Sequence, residues 1–173
     1  MLNNLKKLIK IRQKLATKKT SVGTWMQIAS PDIAEILSSS KLDWITLDME
    51  HANFDNSDIV NIFRAIELGN AAPFVRVQSS DSDKIKHVLD CGAAGIIIPN
   101  IESAAQLNEC IRNCNWPPHG IRGVGYSRAN LYGINFKKYK DKKVKPLVIA
   151  IIESKKGFEN LNEILDVENL DGI

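Results

Sequence analysis

At 173 residues the chain is long enough for one domain with a real core, and 44% hydrophobic and 25% charged residues are ordinary for a globular fold. Its 23 basic and 20 acidic side chains leave a net charge of +3, too mild to argue for a nucleic-acid partner. No apolar run is long enough to span a bilayer, so no membrane association is expected.

The N-terminal stretch LKKLIKIRQKLATKK is basic, and no acid occurs before Asp32. That superficially suits a transit peptide. However, Leu5, Leu8, Ile9 and Leu15 form an amphipathic stripe, which predicts a helix packed on the domain with its basic side solvated. A second basic run, KKYKDKKVK at 137–145, is read the same way, as a solvated face rather than a phosphate patch.

A strand–helix rhythm follows. SVGTWMQIA (21–29) reads as a strand. A helix comes next, with Ser30 as N-cap and Pro31 at its first position. DWITLDME (43–50) is a strand, and 55–70 is a helix with Ile59, Ile62, Phe63 and Ile66 on one face. APFVRVQ, GIIIPNI and PLVIAIIES are three further strands. Helices are predicted over 82–93, 102–114 and 157–167. An insertion at 115–145 interrupts the rhythm, and LDGI (170–173) opens another strand. The three cysteines, Cys91, Cys110 and Cys114, form no CxxC pair and read as reduced, partly buried thiols.

The strands are continuous apolar runs, as in parallel sheets covered on both faces. Strict alternation gives five βα units and the first residues of a sixth strand. A doubly wound sheet satisfies this count, and so does most of a (β/α)8 barrel. In both architectures functional groups gather at the C-terminal ends of the strands. Those ends carry Trp25 and Gln27, then Asp48, Glu50 and His51, then Arg76 and Gln78, then Pro99 and Asn100, and finally Glu153 and Ser154. Alone, such a His is usually a hydrogen-bonded structural residue, such an Arg half of an ion pair, and such a Glu a helix N-terminal acid. Together on one rim they point to a site without naming its reaction.

The stretches GTWMQIASPDIAEIL, DWITLDMEHANFD, IKHVLDCGAAGIIIPNIESAAQ, PPHGIRGVGYSRANLYG and IESKKGFENLNEIL resemble, in order, the HpcH/HpaI aldolase family. The D-x-E-H strand end combined with GIRGVG is the specific part. The resemblance implies a (β/α)8 TIM-barrel type fold in hexamers. It also implies a class II aldolase that cleaves 4-hydroxy-2-oxo acids to pyruvate and an aldehyde with a divalent cation (Mg²⁺, Mn²⁺ or Co²⁺). By motif, His51 answers to the acid/base, with Asp48 in the same strand-end motif and Asp90 as the acid supporting that histidine. Arg76 answers to the arginine that holds pyruvate and its enolate. Glu153 answers to a metal-ligating carboxylate, and Trp25 to a pocket tryptophan that shapes aldehyde selectivity. These roles fit the chemistry, because cleavage needs a base for the C4 hydroxyl and a charge sink for the enolate. No lysine stands at the matching strand ends, which argues against a Schiff base.

Two departures accompany the resemblance. The family's second metal ligand, an aspartate after the sixth strand, is expected beyond Ile173, so the barrel is expected to be C-terminally incomplete. Ile151 also stands where relatives often carry a glutamine. The expected partner is a small 2-oxo acid in a cytoplasmic homo-oligomer. The competing expectations are a non-catalytic remnant of the family and, less favoured, an acyl-CoA lyase.

Overall fold

The computed structural model describes residues 2–140 and 145–173. In chain order the elements are α1 (Leu2–Ala16), β1 (Gly23–Met26), α2 (Pro31–Ser38), β2 (Trp44–Asp48), α3 (Asn56–Leu68), β3 (Ala72–Arg76), α4 (Ser82–Cys91), β4 (Gly95–Ile98) and α5 (Ala104–Cys114). A 3-10 turn (Arg128–Asn130), α6 (Phe136–Tyr139), β5 (Leu147–Ala150), α7 (Lys155–Glu159) and α8 (Leu161–Leu165) follow. All five strands are parallel and lie in the order β1-β2-β3-β4-β5. A doubly wound sheet reverses its strand order at a switch point. This sheet never reverses, so it is wound as the wall of a (β/α)8 barrel. Gly172 forms a parallel bridge with Ile149, which places LDGI beside β5 as the start of a sixth strand.

Alternation along each strand sorts the side chains between two layers. Ile45, Leu47, Val75, Ile96, Ile98, Val148 and Ala150 join the large core beneath the helices. Trp44, Phe74, Leu147 and Ile149 face the other way, into a second cluster with Leu8 and Ile11 of α1. Trp44 and Phe74 stack with ring centroids 5.9 Å apart. Neighbouring strands leave room for these rings: a Cβ at Gly23 would lie 1.9 Å from the Trp44 ring, and one at Gly95 would lie 2.8 Å from Phe74. The rings fill the interior, as in small barrels whose inward positions alternate large and small.

Helix α1 closes the N-terminal end of the sheet, but not with the expected stripe. Leu8 and Ile11 are buried, whereas Ile9 and Leu15 are exposed. Nor is its basic side merely solvated. Lys7 Nζ donates to Ala71 O at 2.8 Å, Lys14 Nζ to Asp43 Oδ2 at 2.6 Å, and Arg12 pairs with Asp171. Burial pushes the Asp43 carboxyl up, but Lys14 and the Val22 N–H more than offset this and hold it below its ordinary value. Of the second basic run, residues 141–144 lie outside the described residues.

Other boundaries shift locally. Ser30 caps α2 by accepting from Ile33 N, and Pro31 opens the helix. The expected 157–167 helix is two short helices meeting at Asn160, whose Nδ2 donates to Glu102 O at 2.8 Å. The insertion is fastened by two arginines. Arg122 pairs with Asp90 and donates to Tyr139 Oη at 3.2 Å, and Arg128 forks onto Glu67 at 3.1 and 2.8 Å. Glu67 and Asp90 sit near the C-terminal ends of α3 and α4, where those helices return to the N-terminal end of the sheet. All three cysteines are buried free thiols, and burial pushes Cys110 up to about 11 and Cys114 to about 12.

Candidate functional site

The strand register carries the centre of the site. Asp48 and Arg76 end β2 and β3 and are direct register partners. Both point to the face opposite the helix-covered core, because their neighbours Leu47 and Val75 are in that core. Arg76 Nε donates to Asp48 Oδ1 at 2.8 Å and Nη2 donates to Oδ2 at 2.6 Å, a bidentate fork. Gln27 Nε2, just beyond β1, donates to Oδ2 at 2.7 Å, and the backbone N–H groups of Glu50 and His51 donate to Oδ1 at 3.2 Å.

Asp48 is therefore a buried carboxylate with five donors around it. Burial pushes its carboxyl up, but the hydrogen bonds from Arg76, Gln27 and His51 N outweigh it and bring it down to about 2. Such a group does not exchange a proton near neutral pH. Asp48, grouped by sequence with the catalytic residues, is held here by hydrogen bonds from three segments. It fixes Arg76 and ties the turn that carries Glu50 and His51.

Two further groups meet at Arg76. Its guanidinium carbon lies 4.9 Å from the centre of the Trp25 ring. Its Nη1 is 3.1 Å from Glu50 Oε2. The Asp48 hydrogen bond raises its pKa against the effect of burial, and the charges of Asp48, Glu50 and Glu153 add to the rise. Glu153, three residues past β5, accepts the Asn100 N–H on Oε1 at 2.9 Å. Ile151 offers no polar group there; its backbone N–H pairs with Ile98 O.

His51 follows in the turn with an exposed side chain, its Nε2 3.9 Å from Glu50 Oε2, too far for a hydrogen bond. Asp90, expected to support His51, is not beside it within this chain. Asp90 belongs to the last turn of α4, at the opposite end of the sheet, and its carboxylate holds Arg122.

Glu50 and Gln27 were visible in the sequence only as polar groups at strand ends, without a role. Glu50 is the more telling, because its Oε2 is buried yet accepts no well-directed hydrogen bond. Among the described residues, no group of three or more His, Cys, Asp or Glu side chains is arranged to hold a metal by itself. The rim does concentrate negative charge, with Asp48 and Glu50 both paired to the guanidinium of Arg76 and the charge of Glu153 near enough to raise its pKa further.

The sequence matches the model of the HpcH/HpaI aldolase/citrate lyase family over residues 21–173. It is 36% identical over 166 residues to the hydroxypyruvate/pyruvate aldolase of Roseobacter denitrificans, covering 94% of this chain and 64% of that protein. It is 33% identical over 165 residues to the 5-keto-4-deoxy-D-glucarate aldolase of Escherichia coli, covering 95% of this chain and 64% of that protein. The fold superimposes with a TM-score of 0.87 on an HpcH/HpaI aldolase/citrate lyase family protein from Burkholderia cenocepacia J2315. That match is at 29% identity and covers 93% of this chain and 66% of the other. The chain thus spans slightly less than two thirds of the curated relatives it matches.

Proposed function

The chain belongs to the HpcH/HpaI aldolase/citrate lyase family, and from that premise we propose that it serves a divalent-metal-dependent aldolase releasing pyruvate and an aldehyde from a 4-hydroxy-2-oxo acid. The observation that carries this reading is Arg76. It is locked from one side by Asp48, faced by Trp25, and set on a rim with Glu50 and Glu153.

A guanidinium has five N–H donors. Asp48 takes two of them and the Glu50 contact a third, so two remain for the oxygens of a pyruvate moiety. Fixed positive charge at that place favours the enolate that forms when the C3–C4 bond breaks. His51 is the one imidazole at the strand ends named here, and its exposed side chain is free to meet the C4 hydroxyl. Taking that proton lets C4 leave as the aldehyde carbonyl, while the bonding electrons pass to the pyruvate enolate, which is then protonated at C3. Trp25 forms a flat apolar wall for the aldehyde half.

The donor set suits a hard cation. A carboxylate with one oxygen held by Asn100 N–H, a buried Glu50 oxygen whose contact with Arg76 Nη1 at 3.1 Å is not a well-directed hydrogen bond, and the concentration of negative charge all favour a divalent ion. Glu153 would hold that ion together with solvent and substrate oxygens. Bound there, it would act as a Lewis acid on the 2-oxo group.

The test is pyruvate release from 4-hydroxy-2-oxo acids with added Mg²⁺ or Mn²⁺. Activity is expected to vanish with a chelator, and borohydride is expected to trap no covalent adduct. Trapping would replace this mechanism with a Schiff base.

The reading extends to a cytoplasmic homo-oligomer with no nucleic-acid or membrane partner. No described helix is long and apolar enough to cross a membrane. Self-association is supported by exposed apolar side chains. Tyr126, Tyr132 and Ile134 lie exposed on the insertion.

A further inference from the structure

Glu153 is held by a turn, and the turn is held by a helix cap. Asn100, two residues past β4, has φ of +54°, in the left-handed region. That conformation disfavours residues with a Cβ, and asparagine tolerates it better than most. Here it directs the Asn100 N–H onto Glu153 Oε1 at 2.9 Å. The carbonyl of the same residue accepts from Gln106 Nε2 at 3.2 Å. Gln106 in turn occupies the third position of α5. Its backbone N–H donates to the Ser103 cap at 3.2 Å, and its Oε1 accepts the Glu102 N–H at 2.9 Å. The side-chain amide thus spans the whole β4–α5 connection, gripping Asn100 with one end and Glu102 with the other.

We propose that Gln106 is a positioning residue for the Glu153 carboxylate, acting through the left-handed turn at Asn100. The proposal rests on the reading of Glu153 as the cation ligand. With Oε1 already accepting a backbone N–H, the orientation of the carboxylate is fixed and Oε2 would be the freer oxygen for an ion. A hydrogen bond to a ligating carboxylate fixes its orientation, and loss of such a partner typically weakens metal affinity about 10- to 100-fold. Neither Gln106 nor Asn100 needs to touch the ion or the substrate for this. Their effect is to remove the rotational freedom of Glu153.

Mn²⁺ binding to the full 173-residue chain, followed by electron paramagnetic resonance, tests this without an activity assay. Four variants are compared with the wild type. Glu153→Gln checks the underlying reading: if the wild type binds no Mn²⁺, or the variant binds as well as the wild type, the cation reading of Glu153 fails and the present proposal fails with it. Gln106→Met keeps length and volume but removes both hydrogen bonds, and is expected to weaken Mn²⁺ about 10-fold. Asn100→Val and Asn100→Gly both lose the side-chain amide but differ in tolerance of positive φ. The glycine variant is expected to bind like the wild type and the valine variant like Gln106→Met. Where Glu153→Gln abolishes binding but Gln106→Met leaves it unchanged, or valine and glycine at 100 behave alike, the cation reading stands and the positioning route is overturned. Thermal melts of each variant separate the effect from unfolding, because Asn100→Val and Gln106→Met are expected to lose affinity while still folded at the assay temperature.

Discussion

Asp48 and Arg76 face each other across the β2–β3 register and meet in a two-bond fork, so the pair is fixed by the sheet before any ligand arrives. The other donors to Asp48 come from β1's end and from the turn after β2. One carboxylate thereby ties three segments of the rim together. Replacing it with an amide places a donor where Arg76 and Gln27 already donate. Asp48→Asn is expected to cost about 3–5 kcal/mol, the usual penalty for removing one partner of a buried ion pair. Urea denaturation checks this, and a loss below about 1 kcal/mol would show that the rim rearranges around the change.

The same carboxylate gives the fold an acid limit. Its folded value is about 2 against an ordinary 3.8, so its ionised form is favoured by folding. The contribution is fully present above the unfolded value and is lost as pH falls through 4 toward 2. It amounts to about 2 kcal/mol. Stability measured between pH 6 and pH 2 should fall along this course in the wild type, and less steeply in Asp48→Asn.

Much of this architecture was legible in the sequence. The apolar runs ending in Asp48 and Arg76 marked buried parallel strands, and Ser30–Pro31 marked a helix start. Of the groups at the strand ends, Trp25, Gln27, Asp48, Glu50 and Arg76 meet on one rim, as parallel winding requires of neighbouring strand ends. What was not legible depended on three-dimensional return paths. Asp90 was assigned to His51 by resemblance alone, from a different stretch of the chain, and nothing in the sequence showed that α4 would carry it to the far end of the sheet beside Arg122 of the insertion. The stripe on α1 was misjudged because Ile9 falls off the face that meets Phe74 and Leu147 while Ile11 falls on it, and Leu15, though on that face, is exposed at the last turn of the helix. The break at Asn160 arises from a side chain reaching Glu102 O, a contact that helical periodicity does not encode.

Turnover should separate His51 from Arg76. His51 is exposed and its imidazole makes no hydrogen bond within 3.5 Å to Glu50, so His51→Ala should leave stability unchanged. It should lower turnover about 10²- to 10⁴-fold, the worth of a positioned acid/base. Arg76→Lys keeps the charge but not the fork to Asp48, and should lose both stability and turnover. The check is steady-state kinetics on an active preparation with thermal melts beside it. Near wild-type turnover in His51→Ala would return the proton transfer to another group.

Gly23 offers a test of the interior packing. A methyl group there would overlap the Trp44 ring at 1.9 Å, and that ring is stacked on Phe74 and cannot simply swing away. Gly23→Ala should cost about 1–3 kcal/mol through overpacking, read as a lower denaturation midpoint with unchanged cooperativity. Gly125→Ala is the control, because nothing lies within 4 Å of a Cβ at that position.

Glu50 gives the sharpest view of how the rim is balanced. Its Oε2 is buried and accepts no well-directed hydrogen bond, although Arg76 Nη1 is only 3.1 Å away. Asp48 already satisfies Arg76 through two bonds, so the guanidinium does not depend on Glu50 for its position. Removing the charge should therefore spare the fold and act on whatever positive species the rim receives. Glu50→Gln is expected to unfold at the wild-type temperature or slightly above, because an imperfectly paired carboxylate is removed from a low-dielectric place. Its Mn²⁺ affinity should fall, because one of the carboxylates on the rim no longer contributes to the field. Calorimetric melting and Mn²⁺ titration on the same preparation check both halves. A large loss of stability would mean that Glu50, like Asp48, holds the rim together, and unchanged Mn²⁺ affinity would remove it from the cation's surroundings.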